Sequence, residues 1–149
     1  MPLIDLIEES FKGALKTQDK TRISILRMLR AALKNKQVER RGPLDDMDVL
    51  AVIRVLVRQG KESIEQFEKG GRQDLAAKEK AELEILKVFL PSQASETEID
   101  QIIEQVIQEV QALGIKDMGK VMKTVMTRLA GRADGQTIQS KVRQKLSAG

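Results

Sequence analysis

Apolar residues recur at three- and four-residue spacing along almost the whole chain, and no segment alternates strictly as a strand would. A first helix follows Pro2 and places Leu3, Ile7, Phe11, Ala14 and Leu15 on one face. A second starts near Asp19, an N-cap type, packs through Ile23, Leu26, Leu29 and Leu33, and stops at Gly42-Pro43. The third opens at Asp45 or Asp46 and runs through Leu50, Ile53, Leu56, Val57, Ile64 and Phe67 to Gly70-Gly71. Gly60 lies inside it, where glycine costs about 1 kcal/mol against alanine, so a bend or a close helix contact is expected there. The fourth carries Leu75, Leu83, Leu86 and Leu90 and is halted by Pro91.

The stretch Pro91 to Ser95 is a candidate boundary. Ser95 and Glu98 have the spacing of a capping box at the head of a fifth helix, which buries Ile99, Ile102, Ile103, Val106 and Val110 and ends with Gly114 left-handed. Asp117 is the expected cap of a sixth helix ending at Gly131, and Asp134 of a seventh anchored by Ile138, Val142 and Leu146. The pattern predicts an all-α protein: an N-terminal helical domain of about four helices (1–91) and a smaller C-terminal three-helix domain (92–149).

Composition narrows the chemistry. Of the 41% hydrophobic residues only Phe11, Phe67 and Phe89 are aromatic, so Leu, Ile, Val and Met fill the interior. The sequence has no Cys and no His, which excludes disulfides, thiolate catalysis and the usual zinc or haem ligands; no cofactor is expected. No apolar run approaches a membrane span and no signal peptide precedes the first helix, so a cytoplasmic protein is expected. Lone helix acids such as Glu62, Glu65 and Glu68 read as solvated surface rather than a metal site.

The net charge of +4 conceals a pattern: residues 1–43 carry +5, residues 44–114 −7 and residues 115–149 +6. A polyanion partner is expected at the basic ends. In the sixth helix Met118, Val121, Met122, Val125, Met126 and Leu129 share one side, with Lys116, Lys120, Lys123 and Thr127 opposite. The methionines read as adaptable core filler or as a partner-binding groove, and the lysines as a solvated face or a polyanion contact. Arg132, at the tip of a tight corner made by Gly131, is expected to be exposed and able to grip a phosphate. Lys141, Arg143 and Lys145 add charge from the last helix, where Lys145 borders the apolar stripe and can snorkel. A second row, Lys20, Arg27, Lys34 and Arg41 with Arg30 beside it, repeats every seven residues along the second helix. It reads as a solvated flank or a secondary contact.

Three stretches resemble the GatB/YqeY family: "DMGKVMKTVMTRLAGRADG" (Asp117 to Gly135), "ISILRMLRAALKN" (Ile23 to Asn35) and "ELEILKVFLPSQAS" (Glu82 to Ser95). The C-terminal domain is similar to the tail of the B subunit of the glutamine-dependent aspartyl/glutamyl-tRNA amidotransferase. The resemblance implies an all-helical fold, tRNA binding and a setting in a tRNA synthetase or amidotransferase complex. It also carries the family label of carbon–nitrogen ligase with glutamine as amido donor. Gly119, Lys120, Val121 and Met122, with Gly131, Arg132, Ala133 and Asp134, match the family motif, and Gly135 follows where the amidotransferase tail more often has proline.

The residues themselves lean away from catalysis. Amide transfer needs a nucleophile with its base and a metal–nucleotide site, and neither a Ser-Lys constellation nor a Walker-type loop is present. The expectation is a non-catalytic module that binds tRNA or another folded RNA. The alternatives are an adaptor using the acidic middle helices and the methionine face, a DNA-binding helix–turn–helix using Gln136, Gln139 and Ser140, and an amidotransferase-like ligase.

Overall fold

A computed structural model describes residues 1–148, and among these there are seven α-helices and no strand. The all-α expectation holds. The chain divides into two compact units, Met1–Leu90 and the residues from Pro91 onward.

The first unit contains α1 (Leu3–Thr17), α2 (Lys20–Arg40), α3 (Asp46–Lys69) and α4 (Gln73–Lys87). Its core joins Ile7, Phe11 and Ala14 of α1 to Leu26, Leu29 and Leu33 of α2, Ile53 and Val57 of α3, and Leu83 and Leu86 of α4. Each set follows the i, i+3, i+4 stripe that the sequence displays. Ile25 and Val49 are also buried, whereas Leu15 stays 45% exposed on the margin of α1.

Local signals fix most helix starts. Asp19 accepts from Arg22 N at 3.2 Å as the N-cap of α2. Asp45 and Asp48 form a reciprocal capping box at the head of α3, at 2.8 and 3.0 Å. One tie is non-local: Leu3 N, an orphan donor at the start of α1, donates to Asp46 Oδ1 at 2.9 Å. Helix α2 stops just before Gly42-Pro43 and α3 at Gly70, as the sequence signals. Arg41 (φ 62°), not Gly42, takes the left-handed conformation after α2. Its N–H donates to Gln37 O at 2.9 Å, which offsets the strain of a Cβ in that region.

The second unit contains α5 (Glu96–Val110), a 3₁₀ turn (Ile115–Asp117), α6 (Met118–Leu129) and α7 (Gly135–Ala148). Its core is built from Ile99, Ile103 and Val106 of α5, Val121, Val125 and Leu129 of α6, and Ile138, Val142 and Leu146 of α7. Met118, Met122 and Met126 are half-buried against this core and fill its edge.

Three capping expectations for this unit are corrected. Gln111 (φ 55°), not Gly114, ends α5 left-handed, and Gly114 is extended. Asp117 stands at the N-cap position of α6, but its side chain makes no capping bond there; its carboxylate accepts from Leu113 N at 2.8 Å, ahead of the 3₁₀ turn, instead. Ser95 accepts from Glu98 N at 3.1 Å, but the Glu98 carboxylate is engaged elsewhere, so only half of the box forms. Between α6 and α7 both Ala130 (φ 49°) and Gly131 (φ 78°) are left-handed, which produces the tight corner.

Gly60 marks a close helix approach. A Cβ placed there would lie 2.5 Å from Leu83 Cδ2 and 3.1 Å from its Cγ, so an alanine fits only if the buried Leu83 side chain shifts. Helix propensity alone favours Gly60→Ala by about 1 kcal/mol, whereas overpacking costs about 1–3 kcal/mol. Denaturant unfolding of Gly60→Ala is expected to show net destabilisation on the order of 1 kcal/mol. In a Leu83→Ala background the penalty disappears. A stabilised single variant would contradict this packing.

Candidate nucleic-acid interface

The site is built on α6, whose apolar stripe faces α5 and α7 and turns the opposite side outward. Lys116 in the 3₁₀ turn and Lys120 and Lys123 on α6 are exposed, and none forms an ion pair with any described residue. Thr124 and Thr127 donate back to Lys120 O and Lys123 O at 3.2 and 2.9 Å, which leaves the lysine heads as the polar groups of that face. Gly119 borders it, exposed, with nothing within 4 Å of the position a Cβ would take.

The other cations of this unit are treated differently. Arg132 is not a free tip. Its guanidinium binds Glu98 with two bonds, at 2.6 and 3.1 Å, and its Nε donates to Ser92 O at 3.1 Å. Its own carbonyl accepts from Ala94 N at 2.8 Å, so one residue ties the corner to the chain leading into α5 through both backbone and side chain. Lys141 pairs with Asp100 at 3.1 Å and Lys145 with Glu104 at 3.2 Å. Arg128, which sequence reasoning passed over, pairs with Glu109.

Four cations of α6, the corner and α7 are therefore matched by four carboxylates of α5. The unit from Pro91 onward holds eight Lys/Arg against seven Asp/Glu, so the +6 of its last segment is largely balanced from within. Arg143, exposed on α7, remains unpaired among the described residues, with the three lysines. The physical reason is register: Asp100 and Glu104 on α5, and Lys141 and Lys145 on α7, both repeat at i, i+4, so packing the two helices aligns both rungs at once. That shared spacing was the available sequence signal.

The bidentate contacts shift titration. The Arg132 guanidinium holds the Glu98 carboxyl below its ordinary value, and Arg128 does the same for Glu109. Both arginines are pushed upward by the same bonds.

Asp134 and Gly135 serve the corner. Asp134 O accepts from Ile138 N at 3.1 Å, its Oδ1 accepts from Gln136 N at 3.4 Å, and Gly135 sits beside the Met126 methyl. In the first unit Lys20, Arg27, Lys34 and Arg41 are exposed and have no acid partner among the described residues. Arg30 is committed: it pairs with Glu8 at 2.7 Å and lies 4.3 Å over the Phe11 ring.

The sequence pattern described as "Yqey-like protein" matches residues 4–146. The chain belongs to the YqeY-like family. Its relatives include proteins named "Altered inheritance of mitochondria protein 41, mitochondrial". The one from Lachancea thermotolerans is 30% identical over 91% of this chain and 76% of its own length. Those from Pyrenophora tritici-repentis and Saccharomyces cerevisiae (strain YJM789) are each 25% identical. They are covered over 80% and 74% of their lengths, against 95% and 93% of this chain.

The Arg132 bridge has a pH signature. A carboxyl whose folded pKa is lowered contributes stability that is present above its unfolded value and lost as pH falls through the folded one. Amide hydrogen exchange in α5 and α7 is expected to quicken at pH 7 in the order wild type, Arg132→Lys, Arg132→Ala, because lysine keeps the charge but not the two-pronged geometry. The differences shrink once pH drops below the ordinary carboxylate range. Equal exchange in all three at pH 7 would contradict a structural role for Arg132.

Proposed function

We propose that this YqeY-like chain is a non-catalytic module that binds folded RNA, tRNA foremost, through the lysine face of α6. The carrying observation is selective neutralisation. The carboxylates of α5 engage Arg128, Arg132, Lys141 and Lys145, and leave Lys116, Lys120 and Lys123 unpaired on one exposed face. Three like charges on adjoining turns repel one another, and a polyanion relieves that repulsion.

Gly119 supports the same reading. It lies in the first turn of α6, exposed, and no neighbour occupies the space a side chain would take. The open space beside Lys120 admits a sugar–phosphate backbone closely. With no Trp or Tyr and no aromatic after Phe89, recognition rests on phosphates and the shape of a folded RNA rather than on base stacking. Arg132 acts in this reading by holding the α6–α7 corner rather than by touching phosphate. A tRNA synthetase or amidotransferase complex is the setting we favour. The cytoplasm, and the mitochondrion of the named relatives, both contain tRNA.

The adaptor reading is less favoured, because the methionines lie half-buried against the core and four α5 carboxylates are engaged by cations, although most acids of α3 and α4 stay on the surface.

The test compares Lys120→Gln/Lys123→Gln with Lys61→Gln/Lys78→Gln, which changes net charge equally on exposed residues of the first unit. Titrating labelled tRNA at several salt concentrations should show the first pair flattening the log–log salt slope by about 2. The second pair leaves it unchanged. Equal effects from both pairs, or no salt-dependent binding by the wild type, would contradict the proposal.

A further inference from the structure

We infer that α2 carries a second, elongated RNA-backbone contact, made by Lys20, Arg27, Lys34 and Arg41. This rests on the RNA-binding reading and extends it to the first unit. The seven-residue repeat keeps Lys20, Arg27 and Lys34 on one side of α2 with about 20° of drift per step, at intervals of about 10.5 Å and over a total of about 21 Å, and Arg41 follows at the left-handed C-cap. All four are exposed and have no carboxylate partner among the described residues.

The middle of the row is a groove between α1 and α2 with a volume of about 500 Å³. Ile4, Ala31 and Leu33 contribute its apolar lining, and Arg27, Arg30 and Lys34 its charge. Glu8 is the one carboxylate lining it, and it is bound to Arg30. Three cations at i, i+3 and i+7 on one helix repel each other, and Arg30 alone is compensated. Its stacking on Phe11 and its bond to Glu8 hold it as a fixed wall beside the two free cations.

Spacing decides the class of ligand. A single phosphate group can engage two neighbouring side chains of the row but cannot reach all of it, because the helical cations alone extend over about 21 Å of α2. A continuous sugar–phosphate strand lying along the helix meets successive cations of the row and neutralises all four. The occupant is therefore a stretch of the RNA backbone rather than a free nucleotide or inorganic phosphate. Its affinity comes from charge and not from base identity.

The experiment uses the full chain and labelled tRNA across 50–200 mM salt, with four proteins: wild type, Arg27→Gln/Lys34→Gln, Lys120→Gln/Lys123→Gln and the combination. Neither pair has an ion-pair partner within the described chain, so folding is retained, and circular dichroism checks it. Arg27→Gln/Lys34→Gln should flatten the log–log slope by about 2, and the combination by about 4. Across that salt range the wild type then loses on the order of tenfold more affinity than either double variant. Arg27→Lys/Lys34→Arg keeps the wild-type slope. A slope unchanged by Arg27→Gln/Lys34→Gln, while Lys120→Gln/Lys123→Gln flattens it, overturns the α2 contact alone. Absence of tRNA binding by the wild type overturns both. Competition by millimolar inorganic triphosphate that is abolished by Arg27→Gln/Lys34→Gln, with the tRNA slope unmoved, makes the groove a small-anion site and also overturns the inference.

Discussion

The second unit depends on one set of interactions: carboxylates of α5 bound to cations of α6, α7 and the corner between them. Glu98 holds Arg132 with two bonds, Asp100 and Glu104 hold Lys141 and Lys145, and Glu109 holds Arg128. Individually these pairs are partly exposed, and surface pairs contribute little each. Their effect is arithmetic. They remove half of the positive charge that the last segment would otherwise crowd into two short helices, and let the small apolar seam around Ala94 and Ala133 close. They also decide which cations remain available to a partner.

Arg132 shows how the same residue type can serve opposite purposes. At the tip of a glycine corner an arginine suits a phosphate grip, but here its fork is filled by Glu98 and the Ser92 carbonyl. In the proposed RNA-binding role it acts through geometry, by holding the corner that follows α6. Arg30 occupies the equivalent role in the first unit, stacked on Phe11 and bonded to Glu8, with free cations on either side of it along α2. In both units a committed arginine stands near uncommitted basic residues.

The helices were legible because their signals are local. The spacing of Ile7, Phe11 and Ala14, of Leu26, Leu29 and Leu33, and of Ile138, Val142 and Leu146 reports a buried stripe directly, and Asp19, Asp45 and Ser95 act within three residues of themselves. Helix ends were less legible. Left-handed turns fell on Gln18, Arg41, Gln111 and Ala130, where returned backbone hydrogen bonds outweigh the Cβ strain that makes glycine the default guess. The lysine face was visible as a periodicity, but its partners were not. Whether Lys141 is free depends on Asp100, 41 positions away, and only the packing of α5 on α7 brings them together. Gly60 lies between these cases: its place inside a helix signalled a close contact, and Leu83 supplies it.

Selective neutralisation is therefore the centre of the account, and lysine reactivity reads it directly. Brief acylation of the native chain, with site-resolved mass spectrometry in the absence and presence of tRNA, ranks every lysine in one measurement. The account predicts rapid labelling of Lys116, Lys120 and Lys123, slow labelling of Lys141 and Lys145, and protection of the first three by tRNA. Uniform reactivity across all five, or tRNA protection confined to Lys141 and Lys145, would contradict it.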